Sequence, residues 1–226
     1  MKNPPLILIL LGKAGSGKGT QVNLLKEKLD LDFLGTGELL RSRKKIDDFS
    51  GKKIASVVDS GGIVPSPVVF KLWMDKFEEF KKKGDFKGVI LDGSPRKLRE
   101  AWLMDDALGW FEWDKRVKIM LIDISDQEAI ERTISRKTCP KCGNIIMYSK
   151  ETADMENCPQ CGEKLMVRPD DTIEGVKNRL KWFEEEVGET IRYYESTGRL
   201  IRINGEQSVE DVFKDIMKEI EKDDNN

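Results

Sequence analysis

The run Leu6-Ile7-Leu8-Ile9-Leu10-Leu11 passes directly into Gly12-Lys13-Ala14-Gly15-Ser16-Gly17-Lys18-Gly19-Thr20-Gln21. Six consecutive apolar residues mark a strand covered on both faces. Beyond the glycines, Val22, Leu24, Leu25 and Leu29 recur at helical spacing. The segment therefore reads as strand, glycine loop, helix, the opening unit of a parallel α/β sheet. Glycines at 12, 15, 17 and 19 let successive backbone N–H groups turn toward one anion. Lys18 adds a point charge, and the helix N-terminus adds its dipole. Gly12-x4-Gly17-Lys18 is thus the first part of a phosphate-binding P-loop. The usual pattern places Ser or Thr directly after the lysine. Here Gly19 intervenes, and Thr20 offers the hydroxyl to phosphate or magnesium. The competing reading is a glycine-rich hairpin with a stray lysine, and the flanking strand and helix argue against it.

The remaining chain repeats the alternation. Buried strands are expected at Gly88–Gly93, Val117–Ile124 and Leu200–Ile203. Helices are expected from near Thr36, from about Gly51 to Ser60 with a stop at Gly61-Gly62, and from Pro65 and Pro67 toward Lys83. Ser125-x-x-Glu128 reads as a capping box for a helix to about Lys137. Asp171-x-x-Glu174 reads as the cap of another, continuing to about Ser196, and a last helix starts at Ser208. The tail after it is expected to fray. Leu6–Leu11 is too short to span a bilayer and precedes no cleavage site, and no later segment approaches membrane length. A soluble, cytoplasmic chain is the expectation.

All four cysteines fall between Thr138 and Gly162. Cys139-x2-Cys142 and Cys158-x2-Cys161 are separated by fifteen residues, which is zinc-site spacing. Each pair carries Pro after its first cysteine and Gly after its second, the form of a knuckle whose backbone N–H groups face the sulfurs. Two disulfides or idle thiols are the alternative, and a reducing compartment weighs against it. Four thiolates fill a tetrahedral shell and leave no position for substrate, so the metal is expected to be structural. Iron fits such a set as well. A nucleic-acid finger is disfavoured because Glu151, Asp154, Glu156 and Glu163 surround the cysteines, against Lys141, Lys150 and Lys164. The net charge of −2, from 39 basic and 41 acidic residues, also disfavours a non-specific nucleic-acid binder. The Lys81-Lys82-Lys83 run reads as a solvated helix end.

From "GKGTQ" onward the sequence resembles the nucleoside monophosphate kinases, the adenylate kinase family in particular. "TGELLR" (Thr36–Arg41) is similar to that family's Thr-Gly-Asp-Met-Leu-Arg, with Glu38 for Asp. "GGIVP" (Gly61–Pro65), "LDGSPR" (Leu91–Arg96), "ERTISR" (Glu131–Arg136) and "VRPDDTIEGVKNRL" (Val167–Leu180) follow in the family's order and spacing. The resemblance covers nearly the whole chain. It implies a P-loop NTPase three-layer fold with a central parallel sheet. Its core would be residues 1–37, 64–137 and 171–226, with a helical monophosphate-binding insertion at 38–63 and a zinc-binding lid at 138–170.

The resemblance also implies roles. Gly15, Ser16, Gly17, Lys18, Gly19, Thr20, Arg132, Arg136 and Gln207 would hold ATP. Thr36, Arg41, Ile63, Val64, Gly93, Arg96, Glu100, Arg168 and Arg179 would hold AMP. Lys18, Asp92, Arg96, Arg132, Arg136, Arg168 and Arg179 would carry catalysis, with Asp92 holding magnesium through water. Cys139, Cys142, Cys158 and Cys161 would hold zinc and clasp the lid. ATP and AMP would be the partners, with no nucleic acid, no membrane and a monomeric state. Phosphoryl transfer to an ionised phosphate needs positioning and charge neutralisation rather than a general base. A chain with no histidine is suited to it. Singly, each arginine reads as a surface ion-pair partner, and Glu128 with Arg132 could simply pair at i,i+4.

Three departures from the family stand out. Ala14 replaces a proline. Ser94 replaces a phenylalanine, which would loosen packing. Glu100 stands where most members have Gln reading the adenine edge. A carboxylate suits the two adjacent donors of guanine, so GMP is an alternative acceptor. The other alternative is that Glu100 faces solvent or pairs with a neighbour such as Arg99, with the base read by backbone groups and by Thr36. From another class, a P-loop nucleic-acid-binding protein with a zinc module is the remaining reading.

Overall fold

The computed structural model describes residues 4–60, 62–146, 152, 154–168 and 171–222. Five strands form one sheet in the order β2-β3-β1-β4-β7, with β1 Leu6–Leu11, β2 Asp32–Gly35, β3 Gly88–Asp92, β4 Val117–Asp123 and β7 Leu200–Asn204. β1 pairs in parallel with β3 (Leu6 opposite Gly88) and with β4 (Ile7 opposite Val117). β2 pairs in parallel with β3. All six residues of β1 are buried, as its unbroken apolar run requires. Helices flank the sheet: α1 Lys18–Leu29, α2 Thr36–Arg43, α3 Phe49–Asp59, α4 Ser66–Lys81, α5 Leu98–Trp110, α6 Asp126–Ser135, α7 Ile173–Trp182, α8 Gly188–Ser196 and α9 Val209–Glu221.

The chain divides into two compact units. One comprises 1–11, 22–121 and 186–201, and the other 12–21, 122–185 and 202–226. In the first, the core gathers Trp73 and Phe77 from α4, Met104 from α5 and Tyr194 from α8, all fully buried. Phe77, Phe111 and Trp113 meet edge-on and stacked at centroid distances of 4.9–5.7 Å. In the second, Ile124, Ala129, Val176 and Leu180 form a small core in which α6 meets α7. No helix among the described residues is long and apolar enough to cross a membrane.

Several local expectations shift. β2 and α5 were not expected. β2 has only four residues, and it is defined by its pairing to β3 rather than by an apolar run. α3 begins two residues early because the Asp48 side chain accepts from Gly51 N at 2.7 Å. α4 opens with Pro65 at its cap and Pro67 in its first turn, as expected, and ends at Lys81. The long helix foreseen to Ser196 is interrupted by a π-helical turn at Phe183–Val187. Ser125 caps α6 by accepting from Glu128 N. The reciprocal half of the box differs: Glu206, not Glu128, accepts from Ser125 N at 2.7 Å. α7 is capped by Thr172, not Asp171. Asp171 is drawn elsewhere, as described below. Gly61, Asp170 and the tail from 223 lie outside the described residues.

Candidate active site and metal cluster

The glycine loop belongs to the second unit. Gly15 has φ +80°, and a Cβ there would stand 2.7 Å from Thr133 Oγ1 and 2.9 Å from Ala129 O. The loop thus lies against α6 as closely as a bare Cα permits. Gly17, at φ +89°, has open space instead. Lys18 Nζ donates to the carbonyls of Gly12 at 2.5 Å and Lys13 at 2.9 Å, and to Ser16 Oγ at 3.3 Å. The loop thereby curls around the lysine head. Lys13 ties it to the start of α6, donating to Ile124 O at 2.9 Å and to Asp126 Oδ1 at 2.7 Å. Ser16 is buried, Gly19 is exposed, and Thr20 lies part-buried in the first turn of α1.

Four expected arginines lie in the same unit. Arg132 Nε donates to Glu128 at 2.6 Å, the i,i+4 pair foreseen as the alternative, and its Nη1 donates to Gly205 O at 2.9 Å. Arg136 donates to both oxygens of Asp171 at 2.7 and 2.9 Å, and Arg179 Nη2 donates to Asp171 Oδ1 at 2.7 Å. The Asp171 side chain is fully buried. Burial pushes its carboxyl upward, but bonds and charge from the two guanidinium groups outweigh this and hold it below the ordinary carboxylate value. Asp171 is therefore a buried hub, a role its sequence context did not signal. Arg168 is part-buried and its carbonyl accepts from Asp171 N. Gln207 donates to Asn204 O and Asp215 Oδ2 at 2.9 and 2.8 Å.

Apart from Arg168 and Arg179, which lie in the second unit, the expected acceptor-side residues belong to the first. β3 ends at Asp92, whose Oδ1 is buried and has no hydrogen-bond partner among the described residues. A buried carboxylate oxygen in that condition calls for a polar ligand, which fits the metal-through-water role. Gly93 follows at φ +70°, with the Arg96 guanidinium against it; Arg96 Nε donates to Gly93 O at 2.9 Å. Arg41 is exposed on α2, and its guanidinium lies over Gly37. Val64 is buried and Ile63 is 46% exposed.

Two expectations are corrected here. Packing at Ser94 is not loose. Ser94 is fully buried and hydrogen-bonded to the Thr36 hydroxyl, which also accepts from Trp73 Nε1 at 3.0 Å. Glu100 does not face solvent; it pairs within the protein, with Ser66 and the backbone of Arg96 rather than with Arg99. It is 5% exposed; Oε1 accepts from Ser66 Oγ at 3.1 Å and Oε2 from Arg96 N at 2.9 Å.

The four cysteines converge. Their Sγ atoms all lie within 4.8 Å of one another, and Cys139–Cys161, Cys142–Cys158 and Cys142–Cys161 are 3.4–3.5 Å apart. A tetrahedron with zinc–sulfur bonds of about 2.3 Å has sulfurs about 3.8 Å apart, so the donor set fits. None is in a disulfide. The knuckles match each other. Gly143 N and Gly162 N donate to Cys139 O and Cys158 O, and Cys139 N and Cys158 N donate to Asn144 O and Glu163 O. Both glycines sit near φ +75°. The backbone N–H of Cys142 faces Cys139 Sγ and pulls that thiol below its ordinary value. Burial pushes Cys158 up, but the N–H groups of Gln160 and Cys161 and the neighbouring thiols bring it down to about 6. The other two thiols move the opposite way: the N–H groups of Asn144 and Glu163 favour their thiolates, but burial and the neighbouring thiols push Cys142 up to about 12 and raise Cys161. A metal requires all four as thiolates. Among the described residues, Leu165, Ile146 and Met155 pack with the cysteines in this cluster.

A sequence model of the family described as adenylate kinase matches residues 10–199. The chain belongs to the adenylate kinase family. Among curated relatives, the adenylate kinase of Chlamydia muridarum is 36% identical, across 96% of this chain and 88% of its own length. That of Chlamydia pneumoniae is also 36% identical, across 94% and 96%. That of Mycoplasma mobile is 34% identical, across 94% and 97%.

Proposed function

We infer that the chain reversibly transfers the terminal phosphoryl group of ATP to AMP, giving two ADP. Membership of the adenylate kinase family across nearly the full length carries this reading. Lys18 and the loop N–H groups are assigned to the donor phosphates, with Arg132 and Gln207 on the donor nucleotide. Arg41 and Arg96 are assigned to the acceptor phosphate. Arg136, Arg168 and Arg179 neutralise charge as the phosphoryl group moves; guanidinium forks suit this because they remain charged and bind phosphate oxygens in pairs. Asp92, with its unpartnered Oδ1, and the Thr20 hydroxyl are the residues to hold magnesium. When bound, that ion neutralises phosphate charge.

The cysteine quartet is assigned to zinc, whose contribution is to folding alone. Segment 138–170 is the lid, residues 38–63 are the monophosphate-binding insertion, and the enzyme is a cytoplasmic monomer. A segment of this length builds little core of its own, and a metal held by the four cysteines would supply the missing folding energy.

The test is a coupled assay of ADP formation with ATP and magnesium fixed and AMP, GMP, CMP and UMP compared. AMP is expected to dominate. Lys18→Ala is expected to lower the rate by about a hundredfold or more, because it removes a cation aimed at developing charge. Transfer to no monophosphate, with salt-sensitive binding to DNA or RNA instead, would overturn the reading.

A further inference from the structure

Glu100 is buried, yet its carboxylate is fully engaged within the protein. Ser66, which supplies one hydrogen bond, is itself buried and is the first residue of α4. Arg96 N, which supplies the other, belongs to the turn between β3 and α5. Ile63 and Val64 immediately precede the α4 start, and Gly93 and Arg96 lie in the second segment. One side chain therefore fastens together the two stretches assigned to the acceptor. Glu100 lies in the first turn of α5, where the helix dipole favours a carboxylate, and the N–H it accepts from is that of Arg96, one residue ahead of the Lys97 cap.

We propose that Glu100 is a positioning residue: it sets the spacing between the α4 start and the Arg96 turn, and it does not read the acceptor base. The proposal rests on the phosphotransfer reading, since that spacing matters to activity only if a monophosphate binds there. It has a sharp chemical consequence. A glutamine can reproduce both bonds. Its amide oxygen accepts from Arg96 N–H, and its NH2 donates to the Ser66 hydroxyl, which rotates to accept. Methionine fills the volume and makes neither bond.

The experiment is steady-state kinetics with AMP and with GMP at saturating MgATP, on wild type, Glu100→Gln, Glu100→Met and Ser66→Ala. The conservative Glu100→Gln should retain the wild-type KM for AMP and the AMP/GMP ratio of kcat/KM, both within about threefold. Glu100→Met should raise KM for both monophosphates by roughly tenfold, leaving KM for ATP unchanged, as expected for losing two hydrogen bonds to a carboxylate. Ser66→Ala should move KM the same way by less. A Glu100→Gln ratio shifted tenfold or more, or Glu100→Met and Ser66→Ala enzymes with unchanged monophosphate KM, would overturn the proposal. Should Glu100→Met fail to fold, the Glu100→Gln ratio and the Ser66→Ala KM still decide. A wild type that phosphorylates neither nucleotide would instead remove the phosphotransfer reading. The fastening would then be judged by melting temperatures of the Ser66→Ala, Glu100→Met and double variants: coupled losses support it, and additive losses overturn it.

Discussion

Gly15 and Gly17 are two residues apart in one loop, yet they meet different constraints. Both have positive φ, but only Gly15 faces neighbours that a methyl group would strike, Thr133 Oγ1 and Ala129 O. Gly17→Ala should cost about 1 kcal/mol, the backbone term alone. Gly15→Ala should cost about 2–3 kcal/mol, because a backbone carbonyl must also give way. Thermal melts of the two variants check the order; equal losses would mean that the loop does not lie against α6 as described. The glycine pattern was visible in the sequence, but this difference was not, because Thr133 reaches the loop only in the fold. Glu100 is a similar case. Its partner Ser66 is 34 residues away, and no local spacing announces the bond.

At the scale of elements, the decisive contact joins α6 to α7 through Asp171. Asp171→Asn would leave Arg136 and Arg179 beside a neutral amide, and should cost about 3 kcal/mol. The pH dependence follows from the sign of the shift. Asp171 has a folded pKa below its unfolded value of about 4. Its contribution is therefore complete above about pH 4 and is lost as pH falls through the lower folded value. Melting curves of wild type and Asp171→Asn should differ by a constant amount near neutrality and converge in acid; a gap unchanged down to pH 2 would contradict the ion-pair account. The strands at 6–11, 88–92 and 117–123 were legible because each carries a short apolar run, Leu6–Leu11, Val89–Leu91 and Ile119–Ile122. β2 was not, since only Phe33 and Leu34 stand out and β3 supplies its partner. Asp171 was taken for a helix cap because it lies one residue from the true cap, and Arg136 is 35 residues earlier.

For the whole molecule, the cysteine segment links folding to chemistry. Stripping the metal with a chelator under reducing conditions should lower the melting temperature by on the order of 10 °C. It should also raise ATP hydrolysis relative to transfer, because a folded lid excludes water. An unchanged melt and unchanged turnover would refute the clasp. The family motifs were legible along nearly the whole chain because glycine loops and C-x2-C knuckles carry their geometry in residue spacing. What each arginine touches was not, because tertiary partners decide it. The Arg136–Asp171 bond has one more consequence. Arg136 immediately precedes β5, Lys137–Thr138, where the cysteine-bearing part begins, and Asp171 immediately precedes the cap of α7. This ion pair, together with the backbone bridge in which Thr138 and Met166 exchange N–H to carbonyl bonds at 2.8 and 3.0 Å, ties off the neck of a long excursion of the chain. What hangs beyond a tied neck can change in length or content at the modest entropy of a longer loop. The cysteine segment is in that sense a graft, exchangeable for a shorter turn or a different staple so long as Arg136 and Asp171 still meet.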